Sequence, residues 1–195
     1  YVMTARNYAQ AELYRETGET NLLTMTRREL HELFRRDMGA MLITGSTSEG
    51  EFFTYNQNGA GHIEESCVTA YLMRWLDSLM RLEGDFRYGD VLERTMYNAL
   101  FAANSPDGRY IRYFTNFSGP REYDAWHDGF CCCGNFRRAV AELPRKIVYA
   151  TADGRVAVNF FTPFEKTFAM GGAKLALRCM TDYPNSGRVR FEILA

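Results

Sequence analysis

Hydrophobic residues recur at three- and four-residue steps through most of the chain, and they alternate with polar residues near its end. The first period is typical of a helix buried on one face, and the second of a β-strand. The clearest helical runs cover residues 67–82 and about 88–103, and the alternating runs follow Asp153-Gly154. The pattern predicts an α+β chain in which a helical layer is followed by a sheet.

Shorter elements surround these runs. Two helices are predicted over about 5–38 with a break near Gly18, and Thr26 followed by Glu29 resembles a capping box for the second helix. The other predictions are a buried extended segment at 41–44, a glycine-rich loop at 45–61, a strand at 110–114, a helix at 135–145 and turns at 171–172 and 184–187. A long loop inside a compact domain is often functional.

Composition and charge exclude several classes of protein. The 195 residues are 46% hydrophobic, which suffices for a buried core and argues against disorder. Lysine and arginine number 23 against 24 acidic residues, so the chain lacks the basic excess of a nucleic-acid binder or a polybasic membrane anchor. Its apolar runs are far shorter than the ~20 residues of a transmembrane helix. We therefore expect neither nucleic acid nor a membrane as a partner.

The five cysteines do not form a disulfide framework. Three are consecutive at 131–133, and neighbouring cysteines rarely bridge each other because their Cα atoms are too close. A row of thiols before Gly134 and Asn135 indicates a metal site or a nucleophile, and free thiols favour a reducing compartment such as the cytoplasm. Cys179 lies in an alternating run, where a buried cysteine is usually a small core residue.

Two segments offer ligands for a soft metal ion. Glu65 and Cys67 stand at the start of the 67–82 helix, and Cys131–Cys133 stand at the start of another. Thiolates at helix N-termini have lowered pKa values, and sulfur ligands suit zinc. Cys67, two of the three consecutive thiols and one carboxylate or His62 would complete a four-coordinate site. Alternatively, Glu64 and Glu65 only complement the positive end of a helix.

Several short segments, in the same order, resemble glycoside hydrolase family 127, the β-L-arabinofuranosidase group. The matching segments are Gly50-Glu51-Phe52-Phe53, Glu65-Ser66-Cys67, Cys131-Cys132-Cys133-Gly134-Asn135, Met41-Leu42-Ile43-Thr44-Gly45-Ser46, Arg87–Arg94, Tyr97-Asn98 and Thr181–Gly187. The resemblance covers roughly residues 28–195.

The resemblance implies both fold and domain organisation. Family members have an (α/α)6 catalytic barrel built from helical hairpins, followed by antiparallel β-sandwich domains, and they are several times longer than this chain. It implies that residues 1–148 are the C-terminal portion of the barrel and that residues 149–195 begin the β-sandwich domain. The chain would then be a fragment of an enzyme.

The resemblance also implies a site. It assigns the nucleophile to Cys131, the zinc ligands to Glu65, Cys67, Cys131 and Cys132, and the acid/base to Glu51. Two alternatives remain open, because Cys133 shifts the register by one residue and Glu49 competes with Glu51. The implied activity is that of a retaining glycosidase on a carbohydrate, an arabinose-containing plant-type glycan or oligosaccharide.

Two other classes of function fit the same residues. A structural zinc site in a carbohydrate-binding or scaffold protein would close the metal's coordination sphere with protein ligands. A cysteine hydrolase would pair Cys131 with His127 or His62 and need no metal. An open pocket beside Cys131 would favour the glycosidase, and a thiol–imidazole contact would favour the hydrolase.

Overall fold

A computed structural model describes residues 1–35, 40–50, 52, 53, 55, 57–59, 61–120, 123 and 131–194. They fall into two compact units, Tyr1–Ala141 and Glu142–Ala195. Because compactness does not by itself define a domain, the predicted boundary after residue 148 stays a prediction.

Helices dominate the first unit. They are α1 (Val2–Thr17), α2 (Thr20–Phe34), α3 (Ser66–Glu83), α4 (Arg87–Thr95) and α5 (Cys131–Glu142). A π-helical turn (Met96–Leu100) and a 3-10 turn (Phe101–Ala103) continue α4, and a second 3-10 turn (Leu143–Lys146) follows α5. The predicted break near Gly18 and the two long helical runs are confirmed.

α3 is the central helix of this unit. Fourteen of its residues are buried, among them Trp75, Leu76 and Leu79, and it packs against both α1 and α4. A helix buried around most of its surface holds its first turn in a fixed place, because the core tolerates little displacement. The start of α3 is therefore a rigid platform for the side chains at that end.

Three of the local predictions are wrong. Thr26 does not cap α2 but lies inside it, where its hydroxyl donates to the carbonyl of Asn7 on α1. Residues 41–44 form no strand, and Ile43 is 75% exposed. Residues 110–114 make isolated bridges rather than a strand. Thr26 is used in a contact between two helices, whereas Leu42 exchanges backbone hydrogen bonds with Gly45 and Ser46 and so forms a turn.

The second unit contains antiparallel sheet. β1 (Val148–Ala150) pairs with β2 (Val156–Val158), and β3 (Phe164–Met170), β4 (Ala173–Thr181) and β5 (Val189–Leu194) form a sheet in that order. The predicted turn at Gly171-Gly172 joins β3 to β4, with both glycines at positive φ. Val148, Phe168 and Leu177 form the core, and Cys179 is buried as predicted.

The helix-then-sheet order predicted from the sequence is confirmed. Among the described residues, no helix is long and apolar enough to span a membrane.

Candidate functional site

Four side chains from two distant segments meet at one point. Glu65, Cys67, Cys131 and Cys132 each offer a ligand atom, and these atoms all lie within 4.8 Å of one another. Four ligands placed tetrahedrally at the usual Zn–S distance of ~2.3 Å would be separated by about 3.8 Å. The group therefore has the size and the donor chemistry of a zinc site, with three sulfurs and a carboxylate.

The first pair comes from the start of α3. Glu65 is the residue before the helix and has extended backbone, whereas Cys67 lies in the first turn. Residues two apart on a regular helix do not face each other, so the extended backbone at Glu65 is what lets the two side chains converge. The backbone carbonyl of Glu65 accepts the N–H of Thr69, but its side chain makes no capping hydrogen bond to α3, and its carboxylate lies beside Cys132.

Hydrogen bonds to two other segments of the chain fix Glu65 and Cys67 in place. Ser66 donates its N–H to the carbonyl of Tyr113 and its hydroxyl to that of Arg112. Ser48 accepts the N–H of Glu64 on its carbonyl and the N–H of Glu65 on its hydroxyl. Glu65 is thus held from both sides by backbone and hydroxyl contacts. The sequence did not indicate a role for Ser48.

The second pair comes from the first turn of α5. This helix begins at Cys131, four residues before the predicted start, so the row of thiols lies within the helix. Neighbouring residues on a helix are rotated by about 100°. Cys131 is exposed, Cys132 is buried against Cys67, and the buried Cys133 is outside the four-residue group.

Hydrogen bonds connect the sulfurs to their surroundings. The Cys132 thiol donates to the Cys67 sulfur at 3.3 Å and lies 3.7 Å from the carboxylate of Glu65. The Asn135 amide donates to the Cys67 sulfur at 3.1 Å. The Tyr113 hydroxyl lies 3.9 Å from the sulfur of Cys131. The sequence gives no sign that Asn135 or Tyr113 contacts a sulfur.

These contacts make the thiols unequal. The hydrogen bond from Cys132 lowers the pKa of the Cys67 thiol, and the Asn135 amide acts in the same direction. The same hydrogen bond raises the pKa of Cys132, which keeps its proton between the two sulfurs. Partial loss of solvent around its sulfur raises the pKa of the Cys131 thiol, and the neighbouring Cys67 sulfur acts in the same direction. Without a cation, Cys67 is the sulfur favoured as thiolate, and a bound cation would favour ionisation of the others.

Glu64, next to this group, has a different environment. Its carboxyl group is buried, accepts a hydrogen bond from the Thr44 hydroxyl through Oε1, and has no hydrogen-bond partner at Oε2 among the described residues. Burial raises the pKa of Glu64 to about 8. Its φ of 56° is in the left-handed region, as is that of Ser48 at 99°. The carboxyl group of Glu64 is therefore neutral over much of the physiological pH range.

The other predicted residues are less informative. Glu51 and His127 lie outside the described residues. Glu49 is exposed, and its backbone pairs with those of Phe52 and Ile63. The ring of His62 is exposed and lies 4.7 Å from that of Phe114. Among the described residues, no histidine contacts Cys131.

The chain is similar to known proteins in both sequence and structure. Residues 4–145 match the family model for the β-L-arabinofuranosidase GH127 catalytic domain. A non-reducing end β-L-arabinofuranosidase from Bifidobacterium longum subsp. longum is 26% identical over 94% of this chain. The match covers 30% of that relative, so the chain spans about a third of its length.

Solved structures show the same likeness. A GH127 β-L-arabinofuranosidase from Geobacillus stearothermophilus T6 superposes with a TM-score of 0.81 at 24% identity, covering 96% of this chain and 32% of that one. A second GH127 β-arabinofuranosidase gives a TM-score of 0.80 at 25% identity, covering 96% and 30%. The predicted fold class is confirmed. The family model matches most of the chain, with residues 4–145 in the catalytic domain. The chain therefore belongs to the GH127 β-L-arabinofuranosidase family.

Proposed function

We propose that the protein is a retaining glycoside hydrolase that releases β-L-arabinofuranose from an arabinose-containing glycan or oligosaccharide, with the thiolate of Cys131 as nucleophile. The observation that carries this proposal is the convergence of Glu65, Cys67, Cys131 and Cys132 within 4.8 Å in a chain of this family. A soluble glycan is also the kind of partner that a near-neutral chain can bind without a basic surface.

Accessibility supports Cys131 as the nucleophile. Glu65, Cys67 and Cys132 are buried, whereas Cys131 is exposed. A nucleophile must reach the anomeric carbon of a sugar that arrives from solvent, so among the four only Cys131 has the required access. Its place in the first turn of α5 also puts the sulfur near the positive end of a helix, which favours the thiolate.

Glu65, Cys67, Cys131 and Cys132 would hold a zinc ion. When bound, the zinc would lower the pKa of the coordinating thiols and so favour the thiolate form. The buried members of the set would serve only as ligands. The Tyr113 hydroxyl lies 3.9 Å from the sulfur of Cys131, a weak contact in which either group can donate.

The two chemical steps balance with one thiolate and one carboxyl group. In the first step the Cys131 sulfur attacks the anomeric carbon, the glycosidic bond breaks, and Glu51 gives its proton to the departing oxygen. In the second step Glu51 takes a proton from water, whose oxygen attacks the anomeric carbon and displaces the sulfur. Two inversions at one carbon retain its configuration.

The two competing functions have less support. A structural zinc site needs none of its ligands to face solvent, whereas Cys131 is exposed, as a nucleophile must be. A metal-free cysteine hydrolase would need an imidazole beside Cys131, and His62 packs against Phe114. His127 lies outside the described residues, so the hydrolase is best tested directly.

One experiment separates the three functions. The purified protein is analysed for zinc and assayed on an aryl β-L-arabinofuranoside, before and after removal of the metal with a chelator. We expect about one zinc per chain, with hydrolysis that is lost on chelation and restored by zinc. Zinc without hydrolysis would indicate the structural site, and hydrolysis by zinc-free protein would indicate the cysteine hydrolase.

A further inference from the structure

Asn135 links the candidate metal centre to a charged side chain near the surface. It is buried in α5, one turn after Cys131, and its Nδ2 lies 3.1 Å from the sulfur of Cys67. Its Oδ1 accepts a hydrogen bond of 3.0 Å from Nη1 of Arg138. Asn135 therefore bridges a sulfur on α3 and a guanidinium group on its own helix.

Arg138 determines which end of the amide faces the sulfur. A guanidinium group has five donors and no acceptor, so the amide atom that faces it must be the oxygen. The amino group is then directed to Cys67. Since Arg138 stands three residues after Asn135 on the same helix, the two side chains are neighbours on one face. The amide is held at both ends, and its amino group is the end that faces the sulfur of Cys67.

The donor distinguishes Cys67 from the other thiols. Its sulfur accepts a hydrogen bond from Asn135 at 3.1 Å and, in the metal-free protein, one from Cys132 at 3.3 Å. Zinc would remove the proton of Cys132 and leave Asn135 as the donor. The described polar neighbour of Cys131 outside the cluster is the Tyr113 hydroxyl, at 3.9 Å. An N–H donor draws electron density from a thiolate, which stabilises the ligand and makes its sulfur a weaker nucleophile. Among the described residues, the Cys131 sulfur accepts no N–H hydrogen bond of this kind, and it therefore keeps more of its electron density.

We propose that Asn135, oriented by Arg138, is a positioning residue that fixes Cys67 as the permanent, non-reacting zinc ligand and leaves Cys131 as the reactive sulfur. The inference rests on the proposed function, which makes Cys131 the nucleophile and Cys67 a ligand, and it goes beyond that function by naming two residues outside the ligand set that maintain the difference. Neither Asn135 nor Arg138 touches the reacting atoms.

The test measures zinc affinity and the electronic state of the sulfurs. Asn135→Asp keeps the size of the side chain and can pair with Arg138, but it presents only acceptors to Cys67. Loss of a hydrogen bond to a metal ligand typically weakens metal binding by about 10–100-fold. We expect a loss in this range, measured by competition with a chelator, and a shifted sulfur-to-metal charge-transfer band when cobalt(II) replaces zinc.

Arg138 supplies the matched variants, because it is exposed and its replacement leaves the core intact. Arg138→Met should weaken zinc binding by about tenfold, and Arg138→Lys, which restores a donor, should recover much of the affinity. Arg137→Met removes the same charge from the neighbouring position of α5 and should leave both the affinity and the cobalt band unchanged.

The outcomes separate this inference from the function on which it rests. Zinc affinity and a cobalt band that stay unchanged in both Asn135→Asp and Arg138→Met would overturn the positioning role while leaving the metal centre intact. An equal loss in Arg137→Met and Arg138→Met would attribute the effect to net charge and overturn it as well. Wild-type protein that binds no zinc would refute the metal centre itself.

Discussion

The sulfur atoms of Cys67 and Cys132 lie 3.3 Å apart, although 65 residues separate them along the chain. One is in the first turn of α3 and the other in the first turn of α5, so two helix N-termini meet at one point. Both termini favour anionic ligands, and a cluster of thiols at this place is favoured to ionise around a cation.

Loss of Cys67 should remove the metal. Because Cys67→Ala deletes a buried ligand, we expect the bound zinc to fall from about one per chain to a small fraction, and hydrolysis to fall with it. Elemental analysis of protein purified without chelators measures this. Cys179→Ala deletes a buried thiol in β4 and should retain zinc. Full zinc occupancy in Cys67→Ala would contradict the ligand assignment.

The nucleophile should be identified by covalent trapping. A mechanism-based sugar electrophile should give one adduct per chain, which peptide mapping places on Cys131. Cys131→Ser should keep the fold but lower kcat by about 10³-fold or more, because a hydroxyl is a far weaker nucleophile at neutral pH. Cys133→Ser, at a buried position outside the cluster, is the control for the register. An adduct on Cys133 or on Glu51 would refute the assignment.

The two loop carboxylates should differ in their dependence on the leaving group. Glu51→Gln should strongly slow substrates whose leaving oxygen needs a proton, and should slow activated aryl glycosides much less in the first step. Added azide, a small nucleophile that needs no base, should rescue the second step. Steady-state rates for paired substrates measure this, with Glu49→Gln as the comparison. If the effects appear in Glu49→Gln instead, Glu49 is the acid/base.

Glu64 should make the stability depend on pH. Its pKa is raised to about 8 in the folded protein, so the native state holds this proton more tightly than the unfolded chain, whose glutamate pKa is near the usual ~4.3. The contribution of protonated Glu64 to the free energy of unfolding is fully present below the pKa of the unfolded chain, and it is lost as the pH rises toward 8. Each unit of pKa difference corresponds to about 1.4 kcal/mol.

The test for Glu64 is urea unfolding at pH 5 and pH 8.5. Glu64→Gln keeps the volume and an acceptor for the Thr44 hydroxyl but cannot ionise. We expect it to be more stable than the wild type at pH 8.5 and nearly equal at pH 5. A difference between Glu64→Gln and wild type that does not change with pH would contradict the expectation.

Gly45 should be sensitive to the smallest side chain. Its φ is 91°, and an added Cβ would lie 2.7 Å from Oγ1 of Thr95, whose hydroxyl also donates to the carbonyl of Gly45. Gly45→Ala combines left-handed strain of about 1–2 kcal/mol with overpacking of about 1–3 kcal/mol. Gly84→Ala meets open space at φ 68° and should show the strain alone. If Gly45→Ala and Gly84→Ala lower the free energy of unfolding in urea by the same amount, the contact of the added Cβ with Thr95 has no effect.

The fold was predictable where a pattern was long. α3 carries several turns of regular hydrophobic spacing, and in β4 the alternating Leu177 and Cys179 are buried, so local pattern and tertiary burial agree there. In β5 the alternation predicts the strand but not its burial, because Ile193 is 74% exposed. Thr26 shows the opposite case. A serine or threonine followed by a glutamate at the third position is too short a pattern to mark a helix start, and the hydroxyl of Thr26 is used to join α2 to α1.

The sequence predicts the metal ligands of the site but not the residues that hydrogen-bond to those ligands. Thiols and a carboxylate carry a chemical identity that the sequence displays, and the family resemblance supplied their pairing. Ser48 and Asn135 carry no such signal, because serine and asparagine are common in loops and helix starts for other reasons. Their contacts to Glu65 and Cys67 depend on backbone paths that only the folded chain reveals.

The exposure of Cys131 has a consequence for the handling of the protein. A solvent-accessible thiolate is the form of cysteine that peroxide attacks first, giving a sulfenic acid that a thiol can reduce and then acids that it cannot. The buried sulfurs of Cys67 and Cys132 are shielded from this reaction. The Cys131 sulfur, the atom best placed to contact a sugar, is thus also the first to be oxidised in air. Fresh reductant should keep Cys131 as a thiol, whereas prolonged aeration should oxidise it irreversibly.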